Sequence, residues 1–361
     1  MSGPSPGARG GTAPFGPMPS RTHAAGRLVE LVRRILDETR PAYSLGAEIA
    51  SLAKLLRERA TIRIDPSRVV ADGETKTIHG LALSPTMAGR CADDIARTAV
   101  FLRGLNRAVE ESRKLERHRP IRVLYAGCGP YALLAVPSMS IFGPEELRFT
   151  LLDIHRPSID SARVVVEALG LGECVESYEV CDACQYRIPT DRTPDIILSE
   201  TMNACLKKEP QVAISRHLLA QAPSATLVPE AVRVDAYLVN VGREFSFVEP
   251  GSSGVAPKRD RVFLGRVFEL SAESIASWAH ESGDRLPAYS VHVPRPLEAR
   301  YTPMLLTTVV VHADHVLEAY DSGLTIPKRI PFDDPIRGGD TLGFHYQLGS
   351  HPELVCDGRV G

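Results

Sequence analysis

One pattern limits the possible folds of this chain more than any other: from Ile121 onward, short apolar runs alternate with amphipathic stretches of helical period. "IRVLYAG" reads as a buried strand that turns at Gly127 and Gly129 and continues into a helix. "LRFTLLDIH" is the next apolar run and "SIDSARVVVEALGL" the next amphipathic helix. "CVESYEVCDA" and "PDIILSE" supply further strands, and "QVAISRHLLAQAP" a further helix. Such alternation predicts an α/β unit over residues 119–225, with a parallel, doubly wound sheet.

The flanking segments differ in composition. Residues 1–25 are rich in Gly, Pro and Ser and lack any apolar period, so a disordered tail is expected. Leu28, Leu31, Val32 and Ile35, then Ile49, Leu52 and Leu55, fall at helical spacing. A long helical reading also fits Thr86 to Arg119, so residues 26–118 are expected to form a mostly helical cap. After Pro223 the pattern changes to β-rich runs punctuated by Pro, Gly and Asp. Residues 226–361 are therefore expected to form a mostly antiparallel, barrel-like β domain.

Charge and composition exclude several classes. A formal net charge of −2 and the lack of any Lys/Arg-rich block give no footprint for nucleic acid. No apolar stretch approaches the roughly 20 residues of a membrane span, and the first residues carry no secretory h-region. Seven cysteines, an odd number, then point to reduced thiols and a cytoplasmic setting. The single C-x-x-C, Cys181 to Cys184, lacks a second pair, and no metal site is expected.

Ligands of open parallel sheets sit at the carboxyl ends of the strands. Gly127 and Gly129 suit a turn that a ligand approaches closely. Asp153 closes the following strand, where an acid would hold ribose hydroxyls. Asp182 follows the next one, placed to accept an adenine amino group. Features at the ends of three successive strands point to a nucleoside site. The turn reads Gly127-Cys128-Gly129-Pro130-Tyr131-Ala132, with a proline that lacks an N–H and no third glycine. A pyrophosphate would lose amide donors there. A cofactor without phosphates loses less, which favours S-adenosyl-L-methionine.

Three further segments carry a resemblance. "DIARTAVF" (Asp94 to Phe101), "SETMNACLKKE" (Ser199 to Glu209) and "TLVPEAVRVDAYLV" resemble the protein arginine methyltransferases and, more broadly, the class I S-adenosylmethionine-dependent methyltransferases. The resemblance implies a Rossmann-like domain between a helical cap and a β domain. It implies that Arg97 binds the methionyl carboxylate and that Glu200 and Glu209 form a double-glutamate loop. With Arg97, the expected cofactor contacts are Gly127, Cys128, Gly129, Asp153, Asp182, Ala183 and Ser199. Glu200, Glu209 and Tyr131 are the expected catalytic residues.

Departures from the family pattern shape the expected activity. Tyr125 stands where the family carries an acid, and Tyr131 where it carries a glycine. Thr302-Pro303-Met304 replaces its substrate-orienting Thr-His-Trp loop. The expectation is therefore methylation of a small amine or amino-acid-like metabolite in specialised biosynthesis, with methylation of protein arginine as a lesser alternative. A runner-up is cyclisation of the cofactor to azetidine-2-carboxylate with release of methylthioadenosine. A non-catalytic, cofactor-binding protein is a third reading.

Tyr131 either crowds the methionyl chain or packs beneath the N-terminal helices. Tyr131 or Tyr178 could assist proton removal. His155 is expected at the pocket edge and His217 in packing, while Met202 and Asn203 either line the pocket or shape its loop. The expected partner is a small molecule; a homodimer stays open, with no feature that indicates one.

Overall fold

Apolar residues at three- and four-residue spacing make the first two helices. The computed structural model describes residues 21–63, 73–115, 119–244 and 259–359. In it α1 (Arg21–Leu36) and α2 (Gly46–Arg57) bury Leu28, Val32 and Ile35 against Ile49, Leu52 and Leu56. The tail expected over residues 1–25 needs correction at its end, because residues 21–25 already belong to α1. Residues 1–20 lie outside the described residues.

The cap also contains a hairpin that helical periodicity does not announce, β1 (Thr75–Thr77) paired antiparallel with β2 (Gly80–Ala82). The single long helix expected from Thr86 breaks in two, α3 (Pro85–Arg90) and α4 (Ile95–Arg113). Each start has a local cause. Ser84 Oγ accepts the Met87 N–H at 3.3 Å, with proline in the first turn of α3. Asp94 Oδ1 accepts the Arg97 N–H at 3.1 Å at the start of α4.

The central sheet is wholly parallel. β3 (Ile121–Ala126) leads through α5 (Ala135–Phe142) to β4 (Leu147–Asp153), then through α6 (Arg156–Ala168) to β5 (Val175–Val180). β6 (Ile196–Ser199), α7 (Gln211–Gln221) and β7 (Thr226–Val228) complete it. The strand order is β5-β4-β3-β6-β7. The chain winds outward from β3 in one direction and returns on the other side at β6. This reversal opens a crevice beyond the carboxyl ends of β3 and β6. β3, β4 and β6 are buried along nearly their whole length, as strands covered on both faces require.

The remaining strands are antiparallel. β8 (Ala231–Val239) and β9 (Arg261–Ser271) precede α8 (Ala272–Ser277), β10 (Arg285–Pro287) and β11 (Val291–His292). β12 (Thr302–His312), β13 (His315–Leu317), β14 (Lys328–Arg329), β15 (Thr341–Gln347) and β16 (Glu353–Arg359) follow. The barrel-like expectation gives way to two sheets. One runs β13-β12-β8-β9 with β14 on β12, the other β10-β15-β11 with β16 on β15. Phe268 of β9 stacks on both Trp278 and Tyr346 of β15, with ring centroids 5.4 and 4.8 Å apart, so aromatic packing joins the two. The chain is thus a mixed α/β protein with a central parallel sheet and antiparallel sheets. None of its described helices is long and apolar enough to cross a membrane.

Helix α4 ties these parts together. Gly104 lets it lie against β12, where a Cβ would stand 2.4 Å from Val311 Cγ1. At its start, the second Asp94 oxygen accepts from Ser322 Oγ at 2.7 Å and from the Gly323 N–H at 3.0 Å. One carboxylate therefore caps the helix and anchors it to the β region.

Candidate functional site

The turn after β3 is fixed by the end of β4. The Gly127 and Cys128 N–H groups both donate to the Leu152 carbonyl, at 2.8 and 3.0 Å. The Gly129 N–H donates to Asp153 Oδ2 at 3.0 Å. Gly127 has φ +76° and Gly129 φ +64°, conformations in which other residues are strained. Gly127 is constrained a second time, because a Cβ there would come within 2.3 Å of Thr201 Cγ2.

Asp153 is buried, and its other oxygen accepts the His155 N–H at 2.8 Å. A carboxylate oxygen has two lone pairs, so each retains capacity for a ligand hydroxyl. Asp182 lies two residues beyond β5, in a turn where Oδ1 accepts the Cys184 N–H at 2.9 Å. His155 Nε2 meets Thr75 Oγ1 at 3.0 Å, which links the hairpin to this edge of the site.

Arg97 and Glu200 converge from the first turn of α4 and the residue after β6, and form a buried ion pair between Nε and Oε1. Burial opposes the charged form of Arg97, but Glu200, together with Cys91 and Glu209, outweighs it and holds the guanidinium above its ordinary value. Burial raises the Glu200 carboxyl, with Arg97 opposing. Glu209 is buried, yet among the described residues it has no hydrogen bond or ion pair. Burial first, and then the charges of Glu200 and Glu74 against the opposing pull of Arg97, push it up to about 7.

The loop between these glutamates is strained. Cys205, Leu206 and Lys208 have φ of +59°, +56° and +74°. Such conformations cost of the order of 1–3 kcal/mol each in a non-glycine residue.

Gln211, at the start of α7, holds the outlet of β6. Its Oε1 accepts from the Thr201 N–H at 2.9 Å and Thr201 Oγ1 at 3.1 Å, and its Nε2 donates to the Ser199 carbonyl at 3.1 Å. Neither Gln211 nor Thr201 stands out in the sequence. The signal in the sequence is a glutamine opening the expected helix "QVAISRHLL".

These elements enclose a cavity of about 900 Å³, counting its mouth. It brings together Arg97, Gly127, Cys128, Gly129, Tyr131, Asp153, Asp182, Ala183, Glu200 and Glu209. Tyr125, Thr201 and the hairpin residues Thr77, Leu81 and Ala82 also line it. Ser199 does not line it: its hydroxyl turns to Thr201 Oγ1 at 3.1 Å and Gln211 Oε1 at 3.3 Å, so it supports the loop instead. Cys91, which no motif singled out, faces the cavity as well.

Tyr131 adopts the packed arrangement. Its ring borders the cavity, but the hydroxyl abuts α3, where a Cβ on Gly89 would stand 3.1 Å away. Burial pushes the phenol up, and Arg57 opposes only in part. Tyr178 lies off the cavity beneath Arg163, 4.6 Å from its ring centroid, and burial pushes it up to about 12.

His155 borders the cavity, whereas His217 bonds the Tyr186 carbonyl at 2.7 Å. Asn203 caps a short turn by accepting the Ala204 N–H, and Met202 is buried away from the cavity. Among the described residues no group of His, Cys, Asp and Glu could hold a metal ion.

The ionisable lining is unbalanced. Asp153, Asp182, Glu200 and Glu209 face Arg97 and His155. Four carboxyl groups around one guanidinium disfavour a polyphosphate and favour a ligand of net positive charge.

No protein-family profile matches the chain, and no curated protein matches it. Among solved structures, it is similar to protein arginine methyltransferase 10 of Arabidopsis thaliana, described as a uniquely open conformation. The identity is 13% and the TM-score 0.48, over 71% of this chain and 86% of that one.

Proposed function

We propose that this protein is an S-adenosylmethionine-dependent transferase with a Rossmann-like, class I methyltransferase domain, which methylates a small amine or amino-acid-like metabolite. One observation carries the reading: a single cavity joins the Gly127–Gly129 turn, Asp153 and Asp182 to the Arg97, Glu200 and Glu209 cluster. Its donors and acceptors fit the cofactor. A turn with Pro130 lacks the amide array that a pyrophosphate needs, and a predominantly acidic lining suits a sulfonium. When bound, S-adenosylmethionine supplies an electrophilic methyl carbon on a positively charged sulfur.

The chain's own groups then divide the work. Asp153 accepts ribose hydroxyls while bracing Gly129, and Asp182 accepts the adenine amino group. Arg97 holds the methionyl carboxylate, with Glu200 fixing the guanidinium. Glu209 is the free carboxylate of the site. Near neutrality it is poised either to hold an ammonium or to accept its proton.

The test is titration calorimetry with S-adenosylhomocysteine, followed by incubation with S-adenosylmethionine and mass spectrometry. Binding, with S-adenosylhomocysteine formed only when an amine acceptor is present, supports methyl transfer. Methylthioadenosine released without an acceptor assigns cyclisation instead. Absence of nucleoside binding overturns the reading.

A further inference from the structure

A second cleft adjoins the acidic cavity, and its charge is opposite. It is lined by Lys76 from the hairpin, Lys207 and Lys208 from the glutamate loop, and His351 and Glu353 from the loop before β16 and its first residue. Leu81 is common to both cavities. Lys207 pairs with Glu353 at 2.7 Å, while Lys76 and Lys208 have no ion pair among the described residues. All three lysines border the cleft and are exposed.

The cleft is rigidly built. The Leu81 N–H donates to the Lys208 carbonyl at 2.8 Å, and the Lys208 N–H donates to the Pro352 carbonyl at 2.7 Å. Gly80 packs so closely that a Cβ would stand 2.7 Å from the same Lys208 carbonyl. Three chain segments thus clamp Lys208 at its positive φ. In consecutive positions, Lys208 serves the basic cleft and Glu209 the acidic cavity.

We infer that the acceptor is bipolar: a basic amine enters toward Glu209, and an anionic group, carboxylate or phosphate, rests among Lys76, Lys207 and Lys208. This rests on the transferase reading above and narrows its substrate class. Charge complementarity selects the occupant, since an anion in the basic cleft meets two unpaired cations. A doubly cationic acceptor would meet like charge there. Neighbouring Cα atoms stand about 3.8 Å apart, and two diverging side chains give an amine-to-anion span of roughly 8–12 Å. A short chain of methylene groups covers it.

Calorimetry on the full chain tests this with three probes, hexylamine, 6-aminohexanoate and 6-aminohexyl phosphate, each with and without S-adenosylhomocysteine. The expected result is that at least one acid binds about tenfold tighter than hexylamine. That preference falls to about twofold or less in K76Q/K208Q, whose thermal unfolding stays unchanged. The stronger of the two acids identifies the anion.

Equal binding of amine and acids by the unaltered chain overturns the inference, as does a preference that survives in the double variant, or no binding of either acid at millimolar concentration. S-adenosylhomocysteine binding is read in the same titrations. A chain that binds the nucleoside but shows no acid preference therefore separates failure of this inference from failure of the transferase reading.

Discussion

Arg97 and Glu200 are brought into contact across 103 residues of sequence, one from the first turn of α4 and the other from the residue after β6. Both side chains are largely withdrawn from solvent. Removing one partner leaves a buried charge uncompensated, which typically costs about 3–5 kcal/mol, whereas replacing both with apolar residues of similar size is far less costly. In urea unfolding, R97M and E200M should each destabilise strongly, and R97M/E200M should recover much of the loss. Additive losses in the double variant would show that the two side chains are not coupled.

Glu209 gives the site a pH dependence of definite sign. Its carboxyl is raised from 4.5 to about 7 in the folded chain. Between these values the folded state holds a proton that the unfolded state releases. The stabilisation is complete below about pH 4.5 and is lost as the pH rises through about 7. At about pH 8, Glu209→Gln should therefore be more stable than the unaltered chain, by at most ~3 kcal/mol. The difference should vanish at about pH 4. Urea midpoints at the two pH values check this, and an equal difference at both would exclude the titration of Glu209 as its source.

Gly127 is held by conformation and by contact, and the two can be separated. Gly127→Ala places a methyl against Thr201 Cγ2 at a positive φ. It should lose about 2–4 kcal/mol of stability, together with nucleoside binding. Adding Thr201→Ser removes the opposing methyl and keeps the hydroxyl that meets Gln211. The pair should regain the steric part and leave a residue of about 1 kcal/mol from φ alone. No regain would mean that backbone strain is the whole effect.

Asp153 supports the turn and, on the proposed reading, also grips the ribose. Asp153→Asn replaces one carboxylate oxygen by a donor facing either the Gly129 or the His155 N–H. Loss of one charge-assisted bond of about 1.5–3 kcal/mol should lower the melting temperature. S-adenosylhomocysteine affinity should fall by roughly tenfold to a hundredfold. Unchanged affinity in a folded variant would remove Asp153 from the ribose.

Gln211 makes the outlet of β6 sensitive to a residue outside the cavity. Gln211→Ala leaves the Thr201 N–H and the Ser199 carbonyl without their partner, at a cost of about 2–3 kcal/mol. It should also weaken nucleoside binding through a displaced Glu200. A fluorescence-monitored titration beside an unfolding curve reads both effects, and a stability loss with intact affinity would limit Gln211 to folding.

Strand-to-helix alternation was legible because buried parallel strands are continuously apolar, and "VLYAG", "FTLLD" and "DIILS" show this without ambiguity. The acids and glycines at the strand ends follow from that reading, and they do border one cavity. The hairpin Thr75–Ala82 was not legible. Its three-residue strands carry no apolar alternation and are held by the Leu81–Lys208 bond, a partner that is distant in sequence.

The position of Tyr131 could not be read either, since its orientation is set by the space above Gly89 in a different helix. Motif position alone places Ser199 at the ligand. Its hydroxyl is taken by Gln211, a competition visible only once α7 is placed beside β6.

Asp94 divides its carboxylate between the N-terminus of α4 and the Ser322–Gly323 turn, more than two hundred residues away. The distant C-terminal sheets therefore act as a foundation for the guanidinium that meets Glu200. A fragment cut after the parallel sheet would leave that helix start untethered, with Gly104 facing water in place of Val311. Such a fragment should bind its ligand poorly for want of a fixed Arg97, even with every cavity-lining side chain still present.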